Sequence, residues 1–314
     1  MDVDAENPAG TGFDESDLRA LAAGDLPPRI RRRLDAQRGR GSWTSDFSVD
    51  ELAAVRSVGF SPLSQVMGSS VYQVGWAGAG GCGAYFSAYE MTPYVQALQQ
   101  ARGLALRRLA LEAAELGADG VVGLRFNVRW LDLGGSGMSG QSAGQYEFSA
   151  IGTAIRGRPP AGAPHRTFLS ALTGQQFAKL LRAGYVPCDL VMGITAIYVH
   201  SNWRMQMQQS SWINQEMGDY TNAMMAARHQ AMGRLREAVL KTGADGAVGS
   251  DVSVQVKGVR CPYQEGVEDH VIEFFAMGTA VSRFQEEVGA VKTVKRLDDA
   301  PPAPIAGRGK MGGA

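Results

Sequence analysis

The 314-residue chain holds three cysteines, four histidines and no net charge, its 31 basic residues balancing 31 acidic ones. Zero net charge removes any global field that would draw it to nucleic acid or an anionic membrane. An odd, scattered set of thiols (Cys82, Cys188 and Cys261) speaks against a disulfide framework and for a reducing compartment. No apolar run reaches the roughly 20 residues that a bilayer span needs. The nearest, Val186 to Val199, is shorter and contains Asp189. The opening Met1-Asp2-Val3-Asp4-Ala5-Glu6 is acidic where a secretory leader is basic and then apolar, so a cytoplasmic protein is expected. Nucleophile elbows and His-Glu-x-x-His pairs are missing, and the glycine run Gly78 to Gly83 lacks the Lys-Ser/Thr ending of a phosphate loop. No catalytic residue is assigned, and an enzyme is not the expected class.

What the chain does have is repetition. Glu90-Met91-x-x-Tyr94-x-x-Ala97-x-x-x-Ala101-Arg102 returns as Glu216-Met217-x-x-Tyr220-x-x-Ala223-x-x-x-Ala227-Arg228. Gly117-Ala118-Asp119-Gly120-x-Val122-Gly123 returns from Gly243 to Gly249, and Glu147-Phe148-x-Ala150-x-Gly152-Thr153-Ala154 returns from Glu273 to Ala280. All three blocks recur at one spacing of 126 residues. A repeated unit of that size is a folding domain rather than a solenoid turn, and two domains suit the length.

Each copy opens on a capping box, Ser48-Val49-Asp50-Glu51 and Thr173-Gly174-Gln175-Gln176, where a hydroxyl and a Glu or Gln satisfy each other's backbone. The short helix that follows stops at Gly59 or Gly184, and Val66-Met67-Gly68 or Val191-Met192-Gly193 then leads into a strand. A long helix is expected from about Glu90 to Leu116 and from about Glu216 to Thr242. Its buried stripe is Tyr94, Leu98, Ala101, Ala105, Leu109, Ala113 and, in copy two, Tyr220, Met224, Ala227, Ala231, Leu235, Val239, at helical spacing. Alternating residues from Val122 to Trp130 and from Val248 to Val256 mark half-buried strands. Closing strands are expected at Tyr146 to Ile155 and Ile272 to Val281. The fold class is α+β: tandem β-α-β-β domains, a small antiparallel sheet under one long helix, each behind a short capped helix.

Residues 1–42 are expected to be a basic, partly disordered arm, with Arg29, Arg31, Arg32, Arg33, Arg38 and Arg40 spread around any helix axis. Domain one spans 43–158, a linker 159–165, domain two 166–284, and a Pro/Gly-rich tail 285–314. Either the Arg29–Arg40 arm or the tail offers a place for a protein partner.

Ala101-Arg102-x-x-Ala105-x-x-x-Leu109, leading to Leu116-Gly117-Ala118-Asp119-Gly120-Val121-Val122-Gly123 and closed by Gly152-Thr153-Ala154, resembles the YbjQ-like family, which carries a heavy-metal-binding label. Copy two matches at Val191-Met192-Gly193, Tyr220, Ala227-Arg228, Gly243 to Gly246 and Gly278-Thr279-Ala280. The resemblance implies a β-α-β-β unit that forms a homopentameric ring, with short strands bridging subunits. It implies no catalytic residues. Two-domain chains cannot build a single five-domain ring, so two stacked pentameric rings are expected, with an even-numbered ring as the alternative.

Asp119 and Asp245, Glu147 and Glu273, Thr153 and Thr279, Arg102 and Arg228, and Tyr94 and Tyr220 all survive duplication. They are candidates for an interface or for a small ligand at subunit junctions. Structural roles compete with that: the aspartates as turn caps, and the Glu and Arg residues as partners for each other. Where copy one has Arg125 and Arg129, copy two has Asp251 and Gln255, so Arg125 and Asp251 form a candidate interface charge pair. A metal would fall to Cys261, Glu265, Glu268, Asp269 and His270, which otherwise read as a solvated acidic hairpin tip. His200 with Met205 and Met207 has the composition of a Cu(I) set, against an apolar strand edge or packing segment. Three roles remain open: a ring-forming protein with a ligand or metal at its junctions, a structural adaptor, and an enzyme with interfacial carboxylates.

Overall fold

The computed structural model describes residues 14–40, 43–74, 88–131, 144–157, 167–261 and 266–284. In chain order these form α1 (Glu15–Ala22), α2 (Pro28–Arg40), α3 (Val49–Ser57), β1 (Ser61–Val74), β2 (Ala88–Glu90), α4 (Thr92–Glu115), β3 (Gly120–Leu131) and β4 (Gly144–Arg156). They continue as β5 (Phe168–Leu169), α5 (Gly174–Arg182), β6 (Tyr185–Val199), α6 (Trp203–Gln209), α7 (Gly218–Thr242), β7 (Gly246–Arg260) and β8 (Glu268–Arg283). Ser48 with Glu51, and Thr173 with Gln176, close both capping boxes reciprocally.

The two copies repeat one plan. β1 and β3 flank β4 in one sheet, and β6 and β7 flank β8 in the other, all antiparallel. Bulges recur between Val122 and Arg125 and between Val248 and Asp251, where Gly123 and Gly249 take φ of +68° and +60°. That left-handed backbone favours glycine. Each long helix lies hard on its first strand. A Cβ on Gly68 would stand 2.0 Å from the Ala105 carbonyl oxygen, and one on Gly193 1.8 Å from that of Ala231. The Val-Met-Gly motif and the alanine stripe are thus two sides of one close contact.

Four features depart from the sequence reading. The long helices begin at Thr92 and Gly218, leaving Glu90 in a strand and Glu216 before its helix. Trp203-x-Met205-x-Met207 forms the helix α6, with Asn202 capping it and Met205 buried, a packing segment rather than a strand edge. Both sheets are four-stranded, and the first is not wholly antiparallel, because β5 joins β3 in parallel. Finally, residues 14–40 are docked rather than free. Leu26 and Leu34 are buried in the first core, while Arg33 pairs with Glu112 at 2.8 Å and Arg31 and Arg38 reach Glu115 at 3.6 and 3.5 Å. A buried leucine contributes about 2 kcal/mol, more than such half-exposed ion pairs; the sequence reading weighed the arginines and passed over Leu34. The linker, the tail, Glu265 and the glycine run at 78–83 lie outside the described residues.

Candidate functional site

The two domains are joined by exchanged strands. β2, which leads into α4, pairs antiparallel with β6 of the second domain (Ala88↔Val199, Glu90↔Ile197). β5, which leads into the second domain, pairs with β3 of the first (Gly120↔Phe168, Val121↔Leu169). Past β5, the amides of Gly123 and Leu124 donate to the Leu172 and Ser170 carbonyls at 2.8 and 3.0 Å. Each sheet therefore has one edge capped by the other domain. Side chains fix both short strands. The Glu90 carboxylate accepts the Thr195 hydroxyl at 2.8 Å and pairs with Arg234 of α7 at 2.5 Å. Thr279 Oγ1 accepts the Ala171 amide at 3.0 Å.

The faces interlock as well. Leu190, Met192, Ile194, Ala196 and Tyr198 of β6 share cores with α4, while Val191, Ile197 and Val199 pack with α7. This is why β6 reads as an almost unbroken apolar run, whereas β1 alternates. At the centre of the contact, Tyr94 and Tyr146 of the first domain donate to the Glu273 carboxylate of the second, whose residue is fully buried. Lys257 pairs with the same carboxylate at 2.8 Å and stands 4.0 Å from the Tyr146 ring centroid. Burial first, then the Glu273 charge, raises both phenols far above their ordinary range. Burial lowers the Lys257 ammonium, against the pull of Glu273. The arrangement neutralises a buried carboxylate and clamps two domains.

The strand exchanges, the Glu90–Arg234 pair and the tyrosine–Glu273 bonds each take one member from either copy, so the repeat supplies a second set that is not made within the chain. Glu216, equivalent to Glu90, is exposed and accepts Thr221 Oγ1 at 2.9 Å. Arg108, equivalent to Arg234, donates to the carbonyls of Ser69 (2.6 Å) and Leu21 (3.2 Å). Its buried Nε has no partner among the described residues. Glu147, equivalent to Glu273, is half-buried on β4, and Tyr220, equivalent to Tyr94, bonds His270 Nδ1 at 2.6 Å. The outer faces stay open: Met67 and Val71 on β1, Met224, Met225 and Met232 on α7, and Val252, Val254 and Val256 on β7. Among the described residues the outer edges of β1 and β7 are unpaired.

The remaining candidates have local partners. Asp119 Oδ2 accepts the Gly157 amide at 2.6 Å and Asp245 Oδ2 that of Arg283 at 2.7 Å, tying down the ends of β4 and β8. Thr153 holds the Asp46 amide at 3.2 Å, as Thr279 holds that of Ala171. Arg102 feels Asp189 across the domain contact, and burial lowers its guanidinium; Arg228 is exposed. Within the chain Arg125 and Asp251 do not pair: Arg125 meets Asp46, and the Asp251 carboxylate accepts the Val252 amide inside β7 at 2.9 Å. The two lie on different bulged edges, so equivalence in the repeat does not make them neighbours. A groove of about 250 Å³, lined by Phe126, Val128, Met192, Phe275 and Met277, has Asp251 as its single ionisable group. That is a poor basis for acid–base catalysis.

The metal candidates divide. Cys261 and Asp269 come together, joined by His200, their ligand atoms all within 4.8 Å of one another. His270 turns away to Tyr220. Asp269 is fully buried in β8 rather than at a solvated tip. His200 is 61 residues from Cys261, and only the β6–β8–β7 order unites them.

A family profile described as "Putative heavy-metal-binding" matches residues 84–158 and 185–283. A Mycobacterium tuberculosis protein named "Encapsulin nanocompartment protein" is 34% identical over 267 residues, covering 84% of this chain and 94% of its own length. No solved structure matches.

Proposed function

Because this chain belongs to the YbjQ-like family, carrying two copies of its unit in tandem, we propose that it is a non-catalytic assembly protein whose chains join head to tail into a closed ring. The observation that carries this reading is the domain contact, made once inside the chain and left half-made at both ends. The next chain's first domain would offer Glu147, the β1 edge, the β1 face and Arg108. This chain's second domain would offer Tyr220, residues 214–216, α7 and Glu216. Segment 43–47 would cap the β7 edge of the preceding chain, as 168–172 caps β3. A head-to-tail contact of this kind closes into a ring when its rotation permits. Methionines and valines on the open faces add about 1.5–3 kcal/mol each when fully buried.

The contact favours one of the two ring designs. Stacked pentamers place like copies side by side, whereas this contact joins copy one to copy two. A ring of alternating copies with an even number of domains is the better reading; two chains give four domains and three give six, the even counts on either side of five, and we take six. The relative named as a nanocompartment protein supports an assembly role. No helix among the described residues is long and apolar enough to cross a membrane. A small ligand at the junctions would take the groove beside Asp251, and a protein partner would meet the tail, since α2 is engaged within the chain. Native mass spectrometry of the full-length chain tests the assembly and reports any bound molecule; a monomer rejects it.

A further inference from the structure

We infer that His200, Cys261 and Asp269 form a binding site for one zinc-type divalent cation, confined to the second domain. Three strand ends bring them together: His200 follows β6, Cys261 follows β7 and Asp269 opens β8. The site is rigidly framed. The Ser201 amide donates to Asp269 Oδ1 at 2.8 Å, Ser201 Oγ to the Glu268 carbonyl at 2.6 Å, and the Cys261 amide to the Val267 carbonyl at 3.0 Å. Tyr198 holds the other carboxylate oxygen.

All three side chains converge on one point. Nδ1 of His200 lies 3.1 and 3.2 Å from the Asp269 oxygens and 3.8 Å from Cys261 Sγ, the Cys261 thiol also bonds the Asp269 carboxylate, and the three ligand atoms lie within 4.8 Å of one another. A single cation can be shared by all three. Tetrahedral zinc, with bonds of about 2.0–2.1 Å to N and O and about 2.3 Å to S, sets N···O near 3.3 Å and N···S near 3.6 Å. The observed spacings lie within a few tenths of an ångström of both. A thiolate, an imidazole and a carboxylate suit a borderline-soft divalent ion and leave a fourth position for water. On binding, the Cys261 thiol releases its proton to solvent.

The site is absent from the first copy, where the aligned residues are Gly75, Gly135 and Ala143. The set is therefore not part of the duplicated framework. It goes beyond the assembly reading and does not rest on it.

The test is titration of chelator-treated, full-length protein with cobalt(II) chloride, followed by absorbance. The expected result is one cobalt per chain, with a near-ultraviolet thiolate-to-cobalt band and the visible bands of four-coordinate cobalt. Cys261→Ser should abolish the thiolate band, and His200→Asn should weaken binding at least tenfold. Both should keep the wild-type circular dichroism and oligomer mass. Cobalt binding without a thiolate band, or with affinity unchanged in both variants, overturns the inference. So does the absence of binding by folded wild-type protein.

Discussion

Arg234 of α7 meets Glu90 of β2 at 2.5 Å, tying the long helix of the second domain to the strand that leads into α4 of the first. Arg108 and Glu216 are the same two residues one repeat away. They are not joined within the chain, and the ring reading pairs them between chains.

Reversing either charge, Arg108→Glu or Glu216→Arg, should therefore weaken assembly, by at least tenfold in the midpoint concentration. Removing one partner of a desolvated interfacial charge pair costs about 2–5 kcal/mol. The double reversal should restore much of the loss. Sedimentation across a dilution series reads this out, and additive rather than compensating losses would count against the pairing.

The glycine under each long helix should be intolerant of any side chain. Gly193→Ala places a methyl 1.8 Å from the Ala231 carbonyl oxygen, and relieving such overpacking costs about 1–3 kcal/mol or more. Gly103→Ala, on α4 with nothing within 4 Å, should instead stabilise by about 0.5–1 kcal/mol. Thermal melts of the two variants should move in opposite directions.

Thr153 and Thr279 make equivalent bonds with different consequences. Thr279→Val frees Ala171 and Ser170, loosens β5 and should lower the melting temperature, since a buried unpaired amide costs about 1–3 kcal/mol. Thr153→Val frees Asp46, in the segment assigned to the neighbouring chain. Its main effect should be on oligomer mass after dilution.

The domain clamp sets an alkaline limit. Tyr94 and Tyr146 keep their protons in the fold well above the ordinary phenol value of 10.0. The unfolded chain gives them up above that pH. There the unfolded state binds fewer protons, so stability falls as pH rises. Lys257, lowered by burial, acts oppositely, but only below its ordinary 10.5. Denaturant melts from pH 9 to 11 should show a decline that Tyr94→Phe makes shallower.

Much of the fold was legible because its signals are local or doubled. The capping boxes, the alanine stripe and the Val-Met-Gly strand each carry a periodicity or a turn residue that recurs 126 residues on. β2 and β5, of three and two residues, are too short for any period, and their pairing is decided wholly by the other domain. Glu90 and Glu216 stood out as repeated, but only the strand exchange shows that one is paired across the domains and the other is exposed. Leu34 was hidden among arginines. Cys261 and Asp269 were close enough in sequence to be suspected, yet the histidine that completes them is His200 rather than the adjacent His270, which turns to Tyr220.

Mass photometry of the purified full-length protein tests the ring most directly. The account predicts one discrete closed species, with three 33.5 kDa chains weighing about 100 kDa, that dissociates on single charge reversal at Arg108 or Glu216. A stable monomer with both outer sheet edges left bare would contradict it.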